Sequence, residues 1–336
     1  MNILVTGGAG YIGSHVVFSM TKQGHIVSIL DDLRNSNSDV MDALFDITGK
    51  KIKLFVEDIA NQNSVVKILQ ENYIDAVIHL AGDKAVGHSI MNPFGCYENN
   101  FVGSFNLIKA MATAGVTRLV FSSSASVYGD PTYLPIDEDH PLNPKSPYAR
   151  SKLMIENMLS DVASLANQNW RIASLRFFNP VGSHISGLIG ENLKIDPVNL
   201  MPQLGRVALG ELPYLEIYGS DFATKDGTGV RDYIHVLDLA EAHNSCLEYL
   251  FRDNPIKSKF EVFNIGTGAG YSVLDVLYCY ERVSMRTLPY KYMSERDGDP
   301  FASYAAVGRA SNLLGWKAKL SLEDMCNDAW RHQKNY

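Results

Sequence analysis

Short apolar segments alternate with amphipathic segments through the first half of the chain, and this alternation constrains the fold more than any other feature. Five segments rich in β-branched residues are predicted as strands: Asn2–Thr6, Ile26–Leu30, Lys53–Val56, Ala76–Leu80 and Arg118–Ser122. Apolar residues recur at helical spacing in Ser14–Lys22, Asn63–Glu71 and Tyr97–Thr113, and a further helix and strand are predicted at Tyr148–Ala166 and Ile172–Arg176. Strands that are apolar almost throughout are typical of parallel strands covered on both faces. The pattern therefore predicts an α/β protein with a doubly wound parallel sheet of the Rossmann type.

The composition of the sequence and the length of its predicted elements change after Phe178. Residues 179–197 are rich in Gly, Pro, Ser and Asn, and shorter predicted elements follow: Leu200–Gly210, Leu215–Tyr218, Leu237–Leu250, Val262–Ile265 and Val273–Val283. We interpret residues 1–178 as a domain built on the parallel sheet, and residues 179–336 as a smaller C-terminal α/β domain that binds the substrate. Some C-terminal segments are compatible with rejoining the main sheet.

The charge balance argues against a nucleic-acid partner. The 336 residues include 30 Lys and Arg against 37 Asp and Glu, a formal net charge of −7, whereas a protein that binds a phosphate backbone usually carries a basic surface. No apolar run approaches the ~18 residues of a membrane span, and the first residues lack the pattern of a signal peptide. We therefore expect a cytoplasmic protein with no membrane partner.

The four cysteines give no sign of a metal site. Cys96, Cys246, Cys279 and Cys326 are far apart in the sequence, with neither a C-x-x-C pair nor a histidine cluster at ligand spacing. We expect them to be reduced thiols packed in the interior.

A glycine-rich turn joins the first predicted strand to the first predicted helix. Gly7, Gly10 and Gly13 have the spacing G-x-x-G-x-x-G. Glycines at these positions allow a sharp turn and a close approach to a pyrophosphate, whose charge meets the helix N-terminus. The triplet alone would equally suit a turn that only connects a strand to a helix. Its position between a strand and a helix predicts a dinucleotide site.

Acidic residues after the second and third strands indicate which dinucleotide binds. The pair Asp31-Asp32 stands where a carboxylate binds the adenosine ribose hydroxyls and repels a 2′-phosphate, which favours NAD over NADP. Asp58, after the third strand, is placed to accept a hydrogen bond from the adenine amino group. The predicted cofactor is NAD.

A serine, a tyrosine and a lysine form a candidate catalytic group. Tyr148 and Lys152 are four residues apart and so share one face of the predicted helix. A free tyrosine has a pKa of about 10, and we expect the Lys152 ammonium and a positively charged nicotinamide to lower it. Ser124 follows a predicted strand at the sheet edge where ligands bind, and its hydroxyl is placed to relay or orient the proton. A chance pair on an ordinary helix is common, but beside an NAD turn the three residues indicate hydride chemistry.

Together these residues resemble the extended short-chain dehydrogenases/reductases and, among them, the UDP-glucose (UDP-galactose) 4-epimerases. The resemblance runs along essentially the whole chain. It is carried by Val5-Thr6-Gly7-Gly8, Gly82-Asp83-Lys84-Ala85-Val86-Gly87, Ser122-Ser123-Ser124, Ser146-Pro147-Tyr148 with Ser151-Lys152, Arg176-Phe177-Phe178-Asn179-Pro180, and the segment from Asp226 to Val236.

The resemblance implies an isomerase that uses tightly bound NAD to epimerise UDP-hexoses through a 4-keto intermediate, and it suggests a homodimer. The residues expected to contact NAD are Gly7, Gly10, Tyr11, Ile12, Gly13, Asp31, Asp32, Asn35, Asp58, Ile59, Leu80, Ala81, Gly82, Lys84, Asn99, Ser122, Tyr148, Lys152 and Phe178. Those expected to hold the UDP-sugar are Ser124, Asn179, Asn199, Leu200, Glu216, Tyr218, Arg231, Arg296, Asp299 and Ser303.

Several of these positions suit a nucleoside diphosphate on chemical grounds. The planar guanidinium groups of Arg231 and Arg296 can each bind phosphate through two hydrogen bonds. Tyr218 is placed to stack on uracil, and Asp299 to accept from a ribose hydroxyl.

The chain departs from the family pattern in a few places. The usual Arg-Glu-Gly-Asp is Arg296-Asp297-Gly298-Asp299, His88 stands where glutamate is frequent, and Ala149-Arg150 replaces Gly-Lys after Tyr148. Ser303 occupies the position where members restricted to glucose and galactose carry tyrosine. A small residue there leaves volume for an acetamido group, so we expect UDP-N-acetylglucosamine and UDP-N-acetylgalactosamine to be accepted as well.

Four alternatives remain open at this point. A nucleotide-sugar 4,6-dehydratase usually has Asp-Glu after the catalytic hydroxyl, whereas Ala125-Ser126 follow Ser124 here. A UDP-uronate 4-epimerase or a plain nucleotide-sugar dehydrogenase fits the UDP-binding motifs less well. A non-catalytic NAD-sensing regulator would have no need of Ser124, Tyr148 and Lys152 together.

Overall fold

A seven-stranded parallel sheet forms the centre of the computed structural model, which describes residues 1–166, 168–191, 199–252, 259–296 and 299–335. In chain order its strands are β1 (Asn2–Thr6), β2 (Ile26–Asp31), β3 (Lys53–Val56), β4 (Ala76–His79), β5 (Arg118–Ser124), β6 (Arg171–Phe177) and β11 (Phe260–Ile265). Their spatial order is β11-β6-β5-β4-β1-β2-β3. The order reverses between β1 and β4, and ligands bind at such a switch point in open α/β sheets.

Helices cover both faces of this sheet. They are α1 (Tyr11–Lys22), α2 (Val40–Thr48), α3 (Gln62–Glu71), α4 (Val86–Met91), α5 (Pro93–Tyr97), α6 (Gly103–Ala114), α7 (Pro147–Ala163) and α9 (Val236–Phe251). Alternate strand residues face opposite sides: Ile3 and Val5 pack with α1 and α9, whereas Leu4 packs with α3, α6 and α7. Both faces of β1 are therefore buried, which accounts for its almost continuous apolar sequence.

The remaining elements build a smaller region at the carboxyl edge of the sheet. They are β7 (Asn179–Val181), α8 (Leu200–Leu209), β8 (Leu215–Tyr218), β9 (Val230–Arg231), β10 (Tyr233–His235), β12 (Tyr271–Ser272), α10 (Val273–Ser284), β13 (Tyr290–Met293), β14 (Ala302–Ser303) and α11 (Leu322–Lys334). The strands pair as β10-β7, β12-β9-β14 and β13-β8. A separate apolar core joins α8, α10 and α11.

The predicted α/β class with a parallel Rossmann sheet is confirmed, and several predicted bounds are corrected. Strand β5 continues to Ser124, so this serine is the last residue of the strand and does not lie beyond it. The helix predicted over Tyr97–Thr113 is three pieces, because π-helical hydrogen bonding over Glu98–Val102 separates α5 from α6. The strand predicted at Val262–Ile265 is β11 in the main sheet. The domain division at residue 178 falls between β6 and β7 and stays a prediction.

The four cysteines are free and buried. Among the described residues, no group of His, Cys, Asp or Glu is arranged to hold a metal ion. None of the described helices combines the length and the hydropathy needed to cross a bilayer.

Candidate active site

The glycine turn between β1 and α1 is so tightly packed that two of its positions have no room for a side chain. Gly7 has a φ of 70°, and a Cβ there would lie 2.7 Å from the backbone nitrogen of Ala81. A Cβ at Gly13 would lie 2.1 Å from the carbonyl oxygen of Gly7. Gly10 caps α1 without a side chain, so no side chain covers the first N–H groups of the helix. The turn therefore has the form that accepts a pyrophosphate at a helix N-terminus.

Asp31 is held at the end of β2 with its carboxylate already oriented. One oxygen, Oδ2, accepts from the backbone N–H of Ala9 in the glycine turn at 3.0 Å. The other accepts from the N–H of Leu33 at 3.0 Å and from the hydroxyl of Ser36 at 2.8 Å. Because the carboxylate is fixed against the glycine turn, the expected ribose contact and the expected pyrophosphate contact adjoin each other. These features fit NAD.

Three of the other residues expected to contact NAD are joined by a residue that the sequence analysis missed. Arg34 contacts Asp32, Asp58 and Asn99, which belong to three separate segments. No local pattern gave a signal for Arg34, because Asp58 and Asn99 are distant from it along the chain. Ile59 is buried against Gly103 at the same end.

The loop after β4, which carries Leu80, Ala81 and Gly82, is fixed by a buried asparagine that was also missed. Asn100 Oδ1 accepts from the N–H of Asp83 at 2.7 Å, and Asn100 Nδ2 donates to the Asp83 carbonyl at 3.0 Å and to the Ser151 hydroxyl at 3.2 Å. Asn35 donates to the Asp83 carboxylate at 3.1 Å. This asparagine connects the loop after β4 to helix α7.

Lys84 and Asn199 meet at an acidic residue outside the predicted set. Both donate to Glu191 Oε1 at 2.8 Å. The Lys84 nitrogen also lies 5.8 Å from the centre of the Tyr11 ring, and the Tyr11 hydroxyl donates to the Gly182 carbonyl at 2.7 Å. Lys84, expected to contact NAD, and Asn199, expected to contact the substrate, therefore lie next to each other. Glu191, which joins them, is 107 positions from Lys84 in the sequence.

Helix α7 carries the candidate catalytic pair. It begins after Ser146, whose hydroxyl accepts from the Ala149 N–H at 3.2 Å, and Pro147 occupies its first turn. Tyr148 and Lys152 follow one turn apart, both buried, and the Lys152 ammonium donates to the Ser122 carbonyl at 2.9 Å. This contact ties the lysine to β5 and points its charge toward the carboxyl edge of the sheet.

Ser124 lies beside the Tyr148 phenol. The Ser124 hydroxyl is close enough to the Tyr148 phenol to favour its ionised form. It accepts from Ser126, through its N–H at 3.2 Å and its hydroxyl at 2.9 Å. Ser126, which was not predicted, therefore orients Ser124.

Lys152 by itself does not hold the pKa of Tyr148 below its usual value, and the expected lowering by Lys152 together with a nicotinamide stays a prediction. Burial raises the pKa of Tyr148, and Ser124 offsets this only in part. Burial also lowers the pKa of Lys152 to about 8, because the ammonium loses its hydration. The phenol is therefore protonated at neutral pH until a further positive charge reaches it.

The residues expected to hold a UDP-sugar surround a second region of the same edge. Arg231, on β9, pairs with the carboxylate of Asp299 and donates to the Val230 carbonyl at 2.8 Å. Ser303, on β14, lies opposite Arg231 in the strand register. Asp232 is buried and accepts from Thr267, Gly268 and Ala305, so the strand that presents Arg231 is firmly anchored.

Strand β8 presents the candidate uracil contact. The Tyr218 hydroxyl donates to Glu216, and the Arg296 guanidinium carbon lies 3.6 Å from the centre of the Tyr218 ring. Arg296 thus covers one face of the ring that was expected to stack on uracil. Asp297, which replaces the usual glutamate of the family motif, and Gly298 lie outside the described residues.

Two further predicted residues lie where β6 meets β7. Phe178 is buried in an apolar cluster with Tyr128 and Ala305, and Asn179 begins β7. Leu200 is the first residue of α8, directly after Asn199.

The fold and site together define the class. A doubly wound parallel sheet carries a glycine-rich turn at one strand end, and a serine, a tyrosine and a lysine lie at the same edge. This combination is that of an extended short-chain dehydrogenase/reductase.

Comparisons with known proteins agree with this class and narrow it. The model of the GDP-mannose 4,6 dehydratase family matches residues 4–329. A UDP-glucose 4-epimerase from Bacillus subtilis is 46% identical over 335 residues, covering 100% of this chain and 97% of that protein. The chain belongs to the UDP-glucose 4-epimerase family.

Two solved structures are similar over the full length. A UDP-glucose 4-epimerase from Stenotrophomonas maltophila, with bound NAD and formylated UDP-arabinopyranose, has a TM-score of 0.96 at 44% identity and covers 100% of this chain and 98% of that one. The enzyme from Bifidobacterium longum, in complex with NAD+ and UDP, has a TM-score of 0.93 at 42% identity with the same coverage.

Proposed function

We propose that the chain is an NAD-dependent isomerase that inverts C4 of UDP-hexoses and interconverts UDP-glucose and UDP-galactose. The observation that carries the proposal is the cluster of Ser124, Tyr148 and Lys152 at the sheet edge that the glycine turn also borders. Full-length similarity to UDP-glucose 4-epimerases supports it.

NAD, when bound, accepts a hydride from C4 of the sugar and returns it. The glycine turn and the open N-terminus of α1 receive its pyrophosphate, and Asp31 receives the adenosine ribose. Lys152 would help to hold the nicotinamide end of NAD, and its ammonium lies next to Tyr148. The loop after β4, Ser122 and Phe178 complete the cofactor contacts.

Tyr148 is the proton acceptor for the sugar 4-hydroxyl. Burial raises the pKa of the Tyr148 phenol, and the positive charge of bound nicotinamide, together with that of Lys152, would lower it. Ser124, held by Ser126, orients the proton between O4 and the phenol. When C4 is reduced again, Tyr148 returns the proton.

The substrate is gripped through its diphosphate and its nucleoside, and its hexose is held loosely. Arg231 and Arg296 bind the diphosphate, and Asp299 accepts from a ribose hydroxyl. Arg296 covers one face of the Tyr218 ring, which leaves the other face to stack on uracil. Loose contacts at the hexose let the 4-keto sugar turn and present its other face.

The small side chain of Ser303 extends the substrate range to UDP-N-acetylglucosamine and UDP-N-acetylgalactosamine. Its β-strand position beside Arg231 supports a role at the sugar pocket. A serine leaves space that a tyrosine would fill, and shape excludes substrates mainly by such clashes.

The enzyme is a cytoplasmic homodimer. Support for a second copy comes from exposed apolar side chains on α4 to α7, which are Ile90, Met91, Phe94, Phe105 and Met154. A patch of this kind on a soluble protein marks an interface. The mass in solution, measured by analytical ultracentrifugation, is expected to be twice the 37.2 kDa of one chain, and a monomer at micromolar concentration would overturn this assignment.

One assay tests the function. Purified protein without added cofactor is given UDP-galactose and UDP-N-acetylgalactosamine separately, and the product sugars are resolved by chromatography. Conversion to UDP-glucose and UDP-N-acetylglucosamine, with NAD recovered from the denatured protein, is expected. No conversion of UDP-galactose by protein that contains NAD would refute the proposal.

A further inference from the structure

Arg34 makes an unusual set of contacts for a half-exposed arginine. Its Nε lies 2.6 Å from Asp32 Oδ2, its Nη2 donates to Asp58 Oδ2 at 2.9 Å, and its Nη1 donates to Asn99 Oδ1 at 3.0 Å. All three nitrogens of the planar guanidinium are therefore occupied. A lysine could not reproduce this pattern, because its ammonium is a single point of charge.

The three acceptors come from three different parts of the fold. Asp32 follows β2, Asp58 follows β3, and Asn99 lies in the π-helical segment Glu98–Val102. Strands β2 and β3 are neighbours in the sheet, so Arg34 joins two adjacent strand ends to a segment on the far side of the switch point. All three residues are expected to contact NAD, and Asp32 and Asp58 are expected at its adenosine end.

The local charge also needs this cation. Asp31, Asp32, Glu57 and Asp58 follow two neighbouring parallel strands, and a dinucleotide adds two phosphate charges nearby. Arg34 has its donors directed at two of these carboxylates, so it offsets the repulsion that an anionic ligand would meet. The same contacts occupy the donors that would otherwise be free to receive a 2′-phosphate.

We propose that Arg34 is a positioning residue that latches NAD at its adenosine end. Arg34 ties together three segments that carry residues expected to contact the cofactor. NAD leaves only when these ties open, so Arg34 slows the release of the cofactor. The inference rests on the proposed function, since it takes NAD as the resident dinucleotide.

The test measures cofactor release and not turnover. Wild type, Arg34→Ala and Arg34→Lys are loaded with NAD and incubated with charcoal, and the NAD that remains per chain is followed over time after denaturation. Arg282→Ala is the matched control, because Arg282 is also an exposed arginine paired with a carboxylate, Glu323, at 3.0 Å. We expect release from Arg34→Ala to be at least about fivefold faster than from wild type, with Arg34→Lys between them and Arg282→Ala unchanged.

A melting experiment separates a cofactor role from a purely structural one. Arg34→Ala is expected to lower the Tm of the NAD-loaded protein while leaving the Tm of the NAD-free protein within the shift seen for Arg282→Ala. Equal losses in both forms would overturn the latch, and so would release from Arg34→Ala at the wild-type rate or slower. If wild type itself fails to bind NAD, the proposed function fails, and the latch fails with it.

Discussion

The ammonium nitrogen of Lys152 lies 5.9 Å from the centre of the Tyr148 ring, on the same side of helix α7. The two side chains are buried together, yet the lysine donates to the Ser122 carbonyl and not to the phenol. Lys152 is therefore held by β5 and not by the phenol, and burial keeps the pKa of Tyr148 above its usual value. Further positive charge beside the phenol would favour its ionisation.

Replacing the phenolic hydroxyl is expected to abolish most turnover without loss of substrate binding. Tyr148→Phe removes the proton acceptor, and positioned acid–base groups contribute about 10²–10⁴ in rate. We expect kcat on UDP-galactose to fall by that factor, while the Kd for UDP measured by calorimetry stays within about twofold. Tyr249→Phe, a buried tyrosine on α9, is the control. Near-normal turnover by Tyr148→Phe would remove the assigned role.

The buried lysine leaves a signature in the pH dependence of stability. Its pKa is lowered from 10.5 to about 8 by burial, so between these values the folded chain binds fewer protons at this site than the unfolded chain. The contribution of Lys152 to the free energy of unfolding therefore rises with pH across that window, by roughly 3 kcal/mol in all. Below pH 8 both states are protonated and the full desolvation cost of Lys152 remains.

Lys152→Met removes this titration and supplies the comparison. Urea unfolding of wild type and variant at intervals from pH 7.5 to pH 10.5 gives the difference in free energy of unfolding. We expect the difference to shift in favour of wild type as the pH rises. A difference that does not change with pH would contradict the lowered pKa of Lys152.

Arg231 is expected to act on UDP affinity and not on the cofactor. Arg231→Lys keeps the charge but loses the planar fork, so the KM for UDP-galactose should rise by about tenfold or more, while the NAD content per chain is unchanged. Arg206→Lys is the control, since Arg206 is a partly buried arginine that also pairs with a carboxylate, that of the exposed Glu211. A lower NAD content in Arg231→Lys would contradict the assignment of Arg231 to UDP.

Enlarging Ser303 is expected to narrow the substrate range. Ser303→Tyr should lower kcat/KM on UDP-N-acetylglucosamine about tenfold more than on UDP-glucose, because the added ring fills the space of the acetamido group. Ser303→Ala should leave both substrates near wild type. The measurement is kcat/KM on the two substrates in parallel. An equal loss of kcat/KM on both would contradict a role of residue 303 in selecting between them.

The central sheet could be predicted from the sequence because its strands are buried on both faces and its helices have an apolar stripe. Five short strands could not be predicted: β7, β9, β10, β12 and β14. Each has only two or three residues, which is too few to show an alternation of apolar and polar residues. Helix α11 was missed although it has a capping box, in which Ser321 and Asp324 each hydrogen-bond the backbone of the other. That signal was present in the sequence.

The site residues also fall into those that could be predicted from the sequence and those that could not. The glycine turn, Asp31 and the Tyr148–Lys152 spacing are local patterns, so they were visible in the sequence. Arg34 and Glu191 were not, because their partners are distant along the chain and only the folded sheet edge brings them together. The effect of burial on the pKa of Tyr148 was not visible for a related reason: the spacing gives the distance to the lysine but says nothing of burial.

The central claim is that C4 of the sugar is oxidised and reduced again inside one closed site. It is tested most directly with UDP-galactose that carries deuterium at C4, incubated with the NAD-loaded enzyme in ordinary water, followed by mass spectrometry and NMR of the UDP-glucose formed. The account predicts that the product keeps the deuterium at C4 in full. Replacement of that deuterium by hydrogen from the solvent would contradict it.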